Sequence, residues 1–118
     1  MMSRLRSFGY AFKGIAALVR TQPNARIHLA ATLVVTALGL FLRISPGEWL
    51  AAALATGMVW TAEGFNTALE QLCDFASPLR DPRIGRIKDI CAAAVLLSAV
   101  AALAVGLIIF LPRLLPGS

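Results

Sequence analysis

Between Ile90 and Leu111 the chain runs for 22 residues without a formal charge. As a helix this segment is about 33 Å long, enough for a hydrocarbon core of about 30 Å. A run of that kind constrains the whole molecule. Inside a bilayer every backbone N–H and C=O must be satisfied within the protein, so helices or a closed barrel are the only solutions. Composition points the same way. Apolar residues make up 58% of the 118 residues and charged residues only 14%, against about 25% charged in soluble domains. The numbers disfavour a soluble globule, a disordered tail, a collagen-like chain and a disulfide scaffold. They favour one integral membrane domain over residues 1–118.

Two further segments extend this reading. Ile27 to Leu42 is uncharged over 16 residues, about 24 Å, and needs help from snorkelling Arg26 and Arg43 or local thinning. A second span is expected over about 49–72, opening on Trp49 at the interface and uncharged as far as Ala62. The turn Arg43-Ile-Ser-Pro-Gly-Glu48 separates these two. Ahead of them, residues 4–20 carry Leu5, Phe8, Phe12, Ile15, Ala16 and Val19 mostly at spacings of three and four. This predicts an amphipathic helix on the membrane surface or packed on the rest of the protein. Pro23-Asn24 is expected to end it. Residues 73–88 read as a polar, basic loop with Pro78 and Pro82 as breakers. The chain is expected to end in a short Pro-Gly-Ser tail.

The eleven Lys and Arg exceed the six Asp and Glu. So apolar a chain does not suit a nucleic-acid groove; its basic loops suit anionic lipid. Nine of the eleven lie before the first span or in 73–88; Arg43 and Arg113 are the others. The positive-inside rule then predicts a cytoplasmic N-terminus and an external C-terminus. The first 26 residues hold Arg4, Arg6, Lys13, Arg20 and Arg26 with no continuous apolar stretch, so no cleavable signal is expected. Cys73 and Cys91 show neither CxxC nor metal spacing with His28, and read as free packed thiols. Ala53-x-x-x-Gly57 and Ala102-x-x-x-Gly106 allow close helix packing, within a subunit or between subunits.

The chemistry concentrates in Glu63-Gly-Phe-Asn66-Thr67-Ala-Leu-Glu70-Gln-Leu-Cys-Asp74. At 3.6 residues per turn, Glu63, Asn66, Thr67, Glu70 and Asp74 share a stripe about 100° wide. An acid inside a span costs about 2.5–3.5 kcal/mol on the insertion scale, so such a stripe marks function. The plainer reading is hydrogen-bonding glue between helices, or a helix end emerging into water. Lys88-Asp89 opens the third span at the same membrane face; alone, it is an ordinary anchor and helix N-cap. Together these residues suggest Mg²⁺ and phosphate. Mg²⁺ takes one or two carboxylates beside phosphate oxygens, a lysine supplies charge to a transferring phosphoryl group, and a carboxylate near apolar surroundings can take a proton from an alcohol. No phosphate-binding G-x-x-x-x-G-K-[ST] loop is present.

The chain resembles the prokaryotic diacylglycerol kinase family, closer to its undecaprenol kinase branch. The resemblance rests on Ser7-Phe-x-x-Ala-x-Lys13-Gly14, Asn24-x-Arg26-Ile-His28, Gly47-Glu48-Trp49, Glu63-x-x-Asn66-Thr-Ala-Leu-Glu70-x-x-x-Asp74, Lys88-Asp89-x-x-Ala-Ala-Ala-Val-Leu and Gly106-x-Ile-Ile-Phe-x-Pro112, in the family's order over nearly the whole chain. It implies an all-α homotrimer with three transmembrane helices and an N-terminal surface helix per subunit. Its active sites would lie between subunits at the cytoplasmic face of the bacterial plasma membrane. The implied reaction is ATP-dependent, Mg²⁺-dependent phosphorylation of a lipid alcohol, undecaprenol or diacylglycerol. By matching position, Glu63 would be the general base, Asn66 would place substrate and phosphate, and Glu70 would hold the metal. Lys88 would contact the γ-phosphate and Asp89 the nucleotide, with Lys13 and Tyr10 near ATP. One position departs: where the family commonly has a second metal-binding glutamate, this chain has Gln22, which keeps an oxygen ligand and loses the charge, or is a plain loop residue. Two other classes compete: a small proton-coupled transporter, which would need four spans and an acid in the first, and a non-catalytic membrane adaptor whose acids are glue.

Overall fold

The structure, a computed structural model, describes residues 2–115; Met1 and the expected tail at 116–118 lie outside them. The described residues form four helices: α1 (Met2–Thr21), α2 (Pro23–Leu42), α3 (Pro46–Ala76) and α4 (Pro82–Leu114). The predicted surface helix and all three predicted apolar segments fall inside α1 to α4 in order. Two helices, α2 and α4, are long and apolar enough to cross a membrane. The second half of α3 carries Glu63, Asn66, Glu70, Gln71 and Asp74, which makes that half polar.

The connections are shorter than expected. Residues 73–88 are not a loop: α3 continues to Ala76, α4 starts at Pro82, and five residues, 77–81, turn the chain. Asp81 explains the early start. Its carboxylate accepts from the backbone N–H of Arg83 at 2.9 Å, and Pro82 follows at the first helical position, where a missing N–H costs nothing. Asp81 is therefore the N-cap; Lys88-Asp89, read as a possible N-cap, sits two turns inside the helix. Pro23 likewise begins α2 directly, leaving only Gln22 between α1 and α2. Arg26 steadies that corner by donating to the carbonyls of Val19 and Arg20 at 3.0 and 2.7 Å, where the end of α1 leaves acceptors free. Pro112 does not stop α4, which runs on to Leu114. In the last turn a proline removes a single bond.

α3 and α4 form the main helix pair, with α2 against α3. The buried positions of α3, Ala52, Ala55, Val59, Glu63 and Thr67, recur at three and four residues. The apolar core sits at one end, where Ile44, Ala52, Ile109 and Phe110 are buried against Val35, Leu38 and Trp49. There α2 ends in a left-handed residue, Arg43 (φ 53°, ψ 56°), whose N–H returns to the Gly39 carbonyl. Ser45 and Glu48 form a reciprocal capping box at the start of α3, and Arg113 reaches back from α4 to Glu48 at 2.6 Å.

Outward faces are apolar. Leu33, Leu40, Phe41, Leu96, Leu97 and Ile108 each expose more than 60% of their surface. The radius of gyration is 17.4 Å, against about 13 Å for a compact 100-residue domain. So long and apolar a shape requires lipid or other subunits around it. Leu5, Phe8, Phe12 and Ile15 on α1 are exposed as well.

Two outcomes follow for the packed end. A Cβ at Gly39 would lie 2.6 and 2.8 Å from the six-membered edge of the Trp49 indole and 3.1 Å from Ile44. Gly39→Ala should therefore cost about 1–3 kcal/mol, seen as a lower melting temperature in detergent, with Trp49→Leu in the same background recovering part of it. Glu48 lies just outside the predicted span. The Ser45 backbone N–H, above all, holds its carboxyl below the ordinary value, with burial opposing and the Ser45 side chain and Arg113 assisting. Such a group stabilises the fold above the ordinary glutamate value of 4.5 and ceases to do so as pH falls through its lowered folded value. Wild type should melt higher than Glu48→Gln at pH 7, and the gap should close on acidification.

Candidate functional site

The polar stripe of α3 turns inward. Glu63 and Thr67 are buried, Asn66 and Glu70 are half-buried, and Asp74 is exposed at the helix end. Glu63 is 1% accessible, the largest fully buried side chain of the described residues. What faces it is His28, on the first turns of α2, with Nε2 3.6 Å from Glu63 Oε2. That separation is too long for a hydrogen bond.

The surroundings of His28 are well tied. Its ring meets Trp60 edge-on, with centroids 6.3 Å apart and planes at 62°. The Trp60 indole N–H donates to Thr32 Oγ1 at 3.0 Å, and the Thr32 hydroxyl donates to the His28 carbonyl at 2.7 Å. Four buried side-chain atoms by contrast have no partner: His28 Nε2, Glu63 Oε2, Asn66 Oδ1 and Thr67 Oγ1. An unpaired buried polar atom costs about 1–3 kcal/mol. Four of them, three within two turns of α3 and one facing them from α2, gather the unpaired buried side-chain atoms of the described residues in one place.

One to three turns further along α3 lies the charged edge of the site. Lys88 Nζ donates to Asp74 Oδ1 at 2.5 Å, joining α4 to the end of α3. That hydrogen bond is the main reason the Lys88 ammonium is held above the ordinary lysine range, with Asp74, Cys73 and Glu70 adding favourable charge and partial burial opposing. Lys88 thus carries a permanent positive charge here, and its other two N–H groups stay available. Asp89 is exposed.

The remaining predicted residues lie on α1 and at its joint with α2. Tyr10 and Lys13 are exposed on α1. Beside them an open groove of about 990 Å³ separates Gly14, Ile15 and Leu18 from Gly64, Phe65 and Ala68 of α3. Gln22 is half-buried at the joint of α1 and α2, its amide donating to Thr21 Oγ1 at 3.4 Å. Among the described residues no three His, Cys, Asp or Glu side chains converge as a metal cage. Mg²⁺ needs no such cage, since one or two protein oxygens with phosphate oxygens and water suffice, and Glu70, half-buried beside Lys88, has the right hard-oxygen chemistry. A second cavity, of about 320 Å³, opens between α2, α3 and α4. It is lined mainly by alanines and branched aliphatics, with His28, Thr32, Thr56 and Trp60 as its polar members.

Sequence reasoning singled out Glu63 and its stripe but not what faces it. In the sequence His28 belongs to the Asn24-x-Arg26-Ile-His28 element and lacks metal spacing with the cysteines, and neither feature pairs it with Glu63. The available signal was an ionisable side chain in an apolar helix with Thr32 four residues on, which places both on one face. The pairing of Lys88 with Asp74 was equally unseen, because the expected loop between them is really two helix ends.

The family model for prokaryotic diacylglycerol kinase matches residues 9–110. The undecaprenol kinase of Bacillus subtilis (strain 168) is 36% identical over 109 residues, which cover 92% of this chain and 89% of that protein. The diacylglycerol kinase of Synechocystis sp. is 37% identical over 112 residues, 94% of this chain and 64% of that protein.

Proposed function

Since the chain belongs to the prokaryotic diacylglycerol kinase family and is a lipid kinase, we propose that it transfers the γ-phosphoryl group of ATP to the hydroxyl of a membrane lipid alcohol, undecaprenol in preference to diacylglycerol. The observation that carries the mechanism is the buried Glu63 carboxylate with its unpaired neighbours. The preference follows the Bacillus undecaprenol kinase, which aligns over nearly its full length.

In this reading Glu63 accepts the proton of the lipid hydroxyl as that oxygen attacks the γ-phosphorus. A carboxylate away from water is matched to this task, because an alcohol oxygen must lose its proton as it bonds to phosphorus. Asn66 orients the hydroxyl and the phosphate. Lys88, permanently charged, steadies the charge that spreads over the transferring oxygens. Glu70 would hold Mg²⁺, with the Gln22 carbonyl as a weaker neutral ligand, and the ion would supply charge neutralisation when bound. Asp89, Lys13 and Tyr10 contact the nucleotide. Positioning carries most of the rate in phosphoryl transfer, which suits a small bundle at an interface.

The protein sits in the bacterial plasma membrane with α2, α3 and α4 spanning and α1 on the cytoplasmic surface. Antiparallel packing brings α1, the start of α2, the 77–81 turn and the start of α4 to one end, where nine of eleven basic residues lie. Three subunits assemble so that neighbours complete each site. The exposed apolar faces support this.

The test is purified protein in lipid vesicles with γ-labelled ATP, Mg²⁺ and the two lipids side by side. Glu63→Gln should lower turnover by about 10²–10⁴-fold while the assembly keeps its size; retained turnover rejects Glu63 as base. No labelled lipid at any Mg²⁺ concentration would reject the kinase mechanism and favour an adaptor. Gln22→Glu should reach half-maximal rate at a lower Mg²⁺ concentration than wild type, because it restores a charged oxygen ligand.

A further inference from the structure

A base in a sealed site must dispose of the proton it takes. When the lipid oxygen bonds to the γ-phosphorus, its O–H pair becomes the new O–P bond. The bond from phosphorus to the bridging oxygen breaks, its electrons leave with the diphosphate, and the proton is left on Glu63. With 2% of its side chain accessible, Glu63 has little direct contact with water. Its nearest polar neighbours on α3, Asn66 and Thr67, are an amide and a hydroxyl, and neither is a base at neutral pH. Lys88 is charged and engaged with Asp74. The basic atom facing Glu63 is His28 Nε2, 3.6 Å away, buried and without a partner.

We propose that His28 is the positioning residue of Glu63, holding its carboxylate toward the lipid hydroxyl and accepting the transferred proton from it. Three features of the geometry fit that task better than a purely architectural contact. The gap exceeds a hydrogen bond by less than one ångström, so a small side-chain rotation closes it to about 2.8 Å. The ring is held by its edge-on contact with Trp60, which is itself fixed by Thr32. A contact serving only to join α2 to α3 would already be closed, as the bond from Trp60 to Thr32 between the same helices is. The inference rests on Glu63 as the base, and its test separates the two.

The cavity of about 320 Å³ beside His28 supplies the readout. His28→Ala enlarges that cavity to admit an imidazole ring, and His28→Gln keeps most of the side-chain volume and a hydrogen-bonding group. Turnover is measured with MgATP and lipid in vesicles for wild type, Glu63→Gln, His28→Ala and His28→Gln, with melting temperatures alongside. We expect both His28 variants to lower kcat by about 10²-fold with lipid and ATP KM within about twofold. Free imidazole should restore turnover to His28→Ala, whereas pyrazole, of the same shape and far weaker basicity, should not. Unchanged kcat in His28→Gln, or rescue by both rings alike, overturns the proposal and leaves His28 as packing. If His28→Ala is unstable, His28→Gln alone decides: a kcat loss at unchanged melting temperature supports the role, and normal kcat rejects it. If Glu63→Gln retains turnover, the base assignment has failed, whatever the His28 variants do.

Discussion

Carrying a carboxylate into the interior of an apolar bundle is the demand to which the rest of this molecule answers. Glu63 is nearly inaccessible and its Oε2 has no hydrogen-bond partner. A buried polar group without a partner is destabilising. The helices around it must therefore be held by other means. They are: the capping box at Ser45, the Arg113–Glu48 pair and the packed residues Ile44, Ala52, Ile109 and Phe110 all lie at the opposite end of the bundle. Stability is concentrated where no chemistry-bearing residue sits, and unsatisfied groups are concentrated where they do.

The division is visible in how charge is distributed. At the packed end the one described ion pair, Arg113–Glu48, ties the end of α4 to the start of α3. At the other end the Lys88–Asp74 pair joins α3 to α4, with Glu70 close enough to add to it. That edge combines a permanent cation with carboxylates of graded burial, from the exposed Asp74 to the hidden Glu63. The gradient runs along one face of one helix, because residues at 63, 66 or 67, 70 and 74 must share that face.

Most of this architecture was legible in the chain. An uncharged run of 22 residues, and the amphipathic pattern of residues 4–20, fixed helices in the right places. The five-residue stripe emerged from helical periodicity alone. Two things did not. The polar stretch 73–88 looked like a loop because charge and proline usually mean one, yet Pro82 after Asp81 is equally a helix start, and only the cap hydrogen bond decides. The facing of His28 and Glu63 was hidden for a different reason. They are 35 positions apart on different helices, and which face of α2 meets α3 depends on tertiary packing, about which periodicity within either helix is silent.

The link between Glu48 and Arg113 spans 65 residues. A chain is made from its N-terminus, so Glu48 must exist without its partner until nearly all of α4 has been synthesised. During that interval α3 has α2 as its long neighbour, and the face it packs against α4 lacks its cover. A contact of such long sequence separation is also among the last that a folding chain can close. The order of manufacture thus leaves the acid-bearing helix half-covered until α4 is made and packs against it.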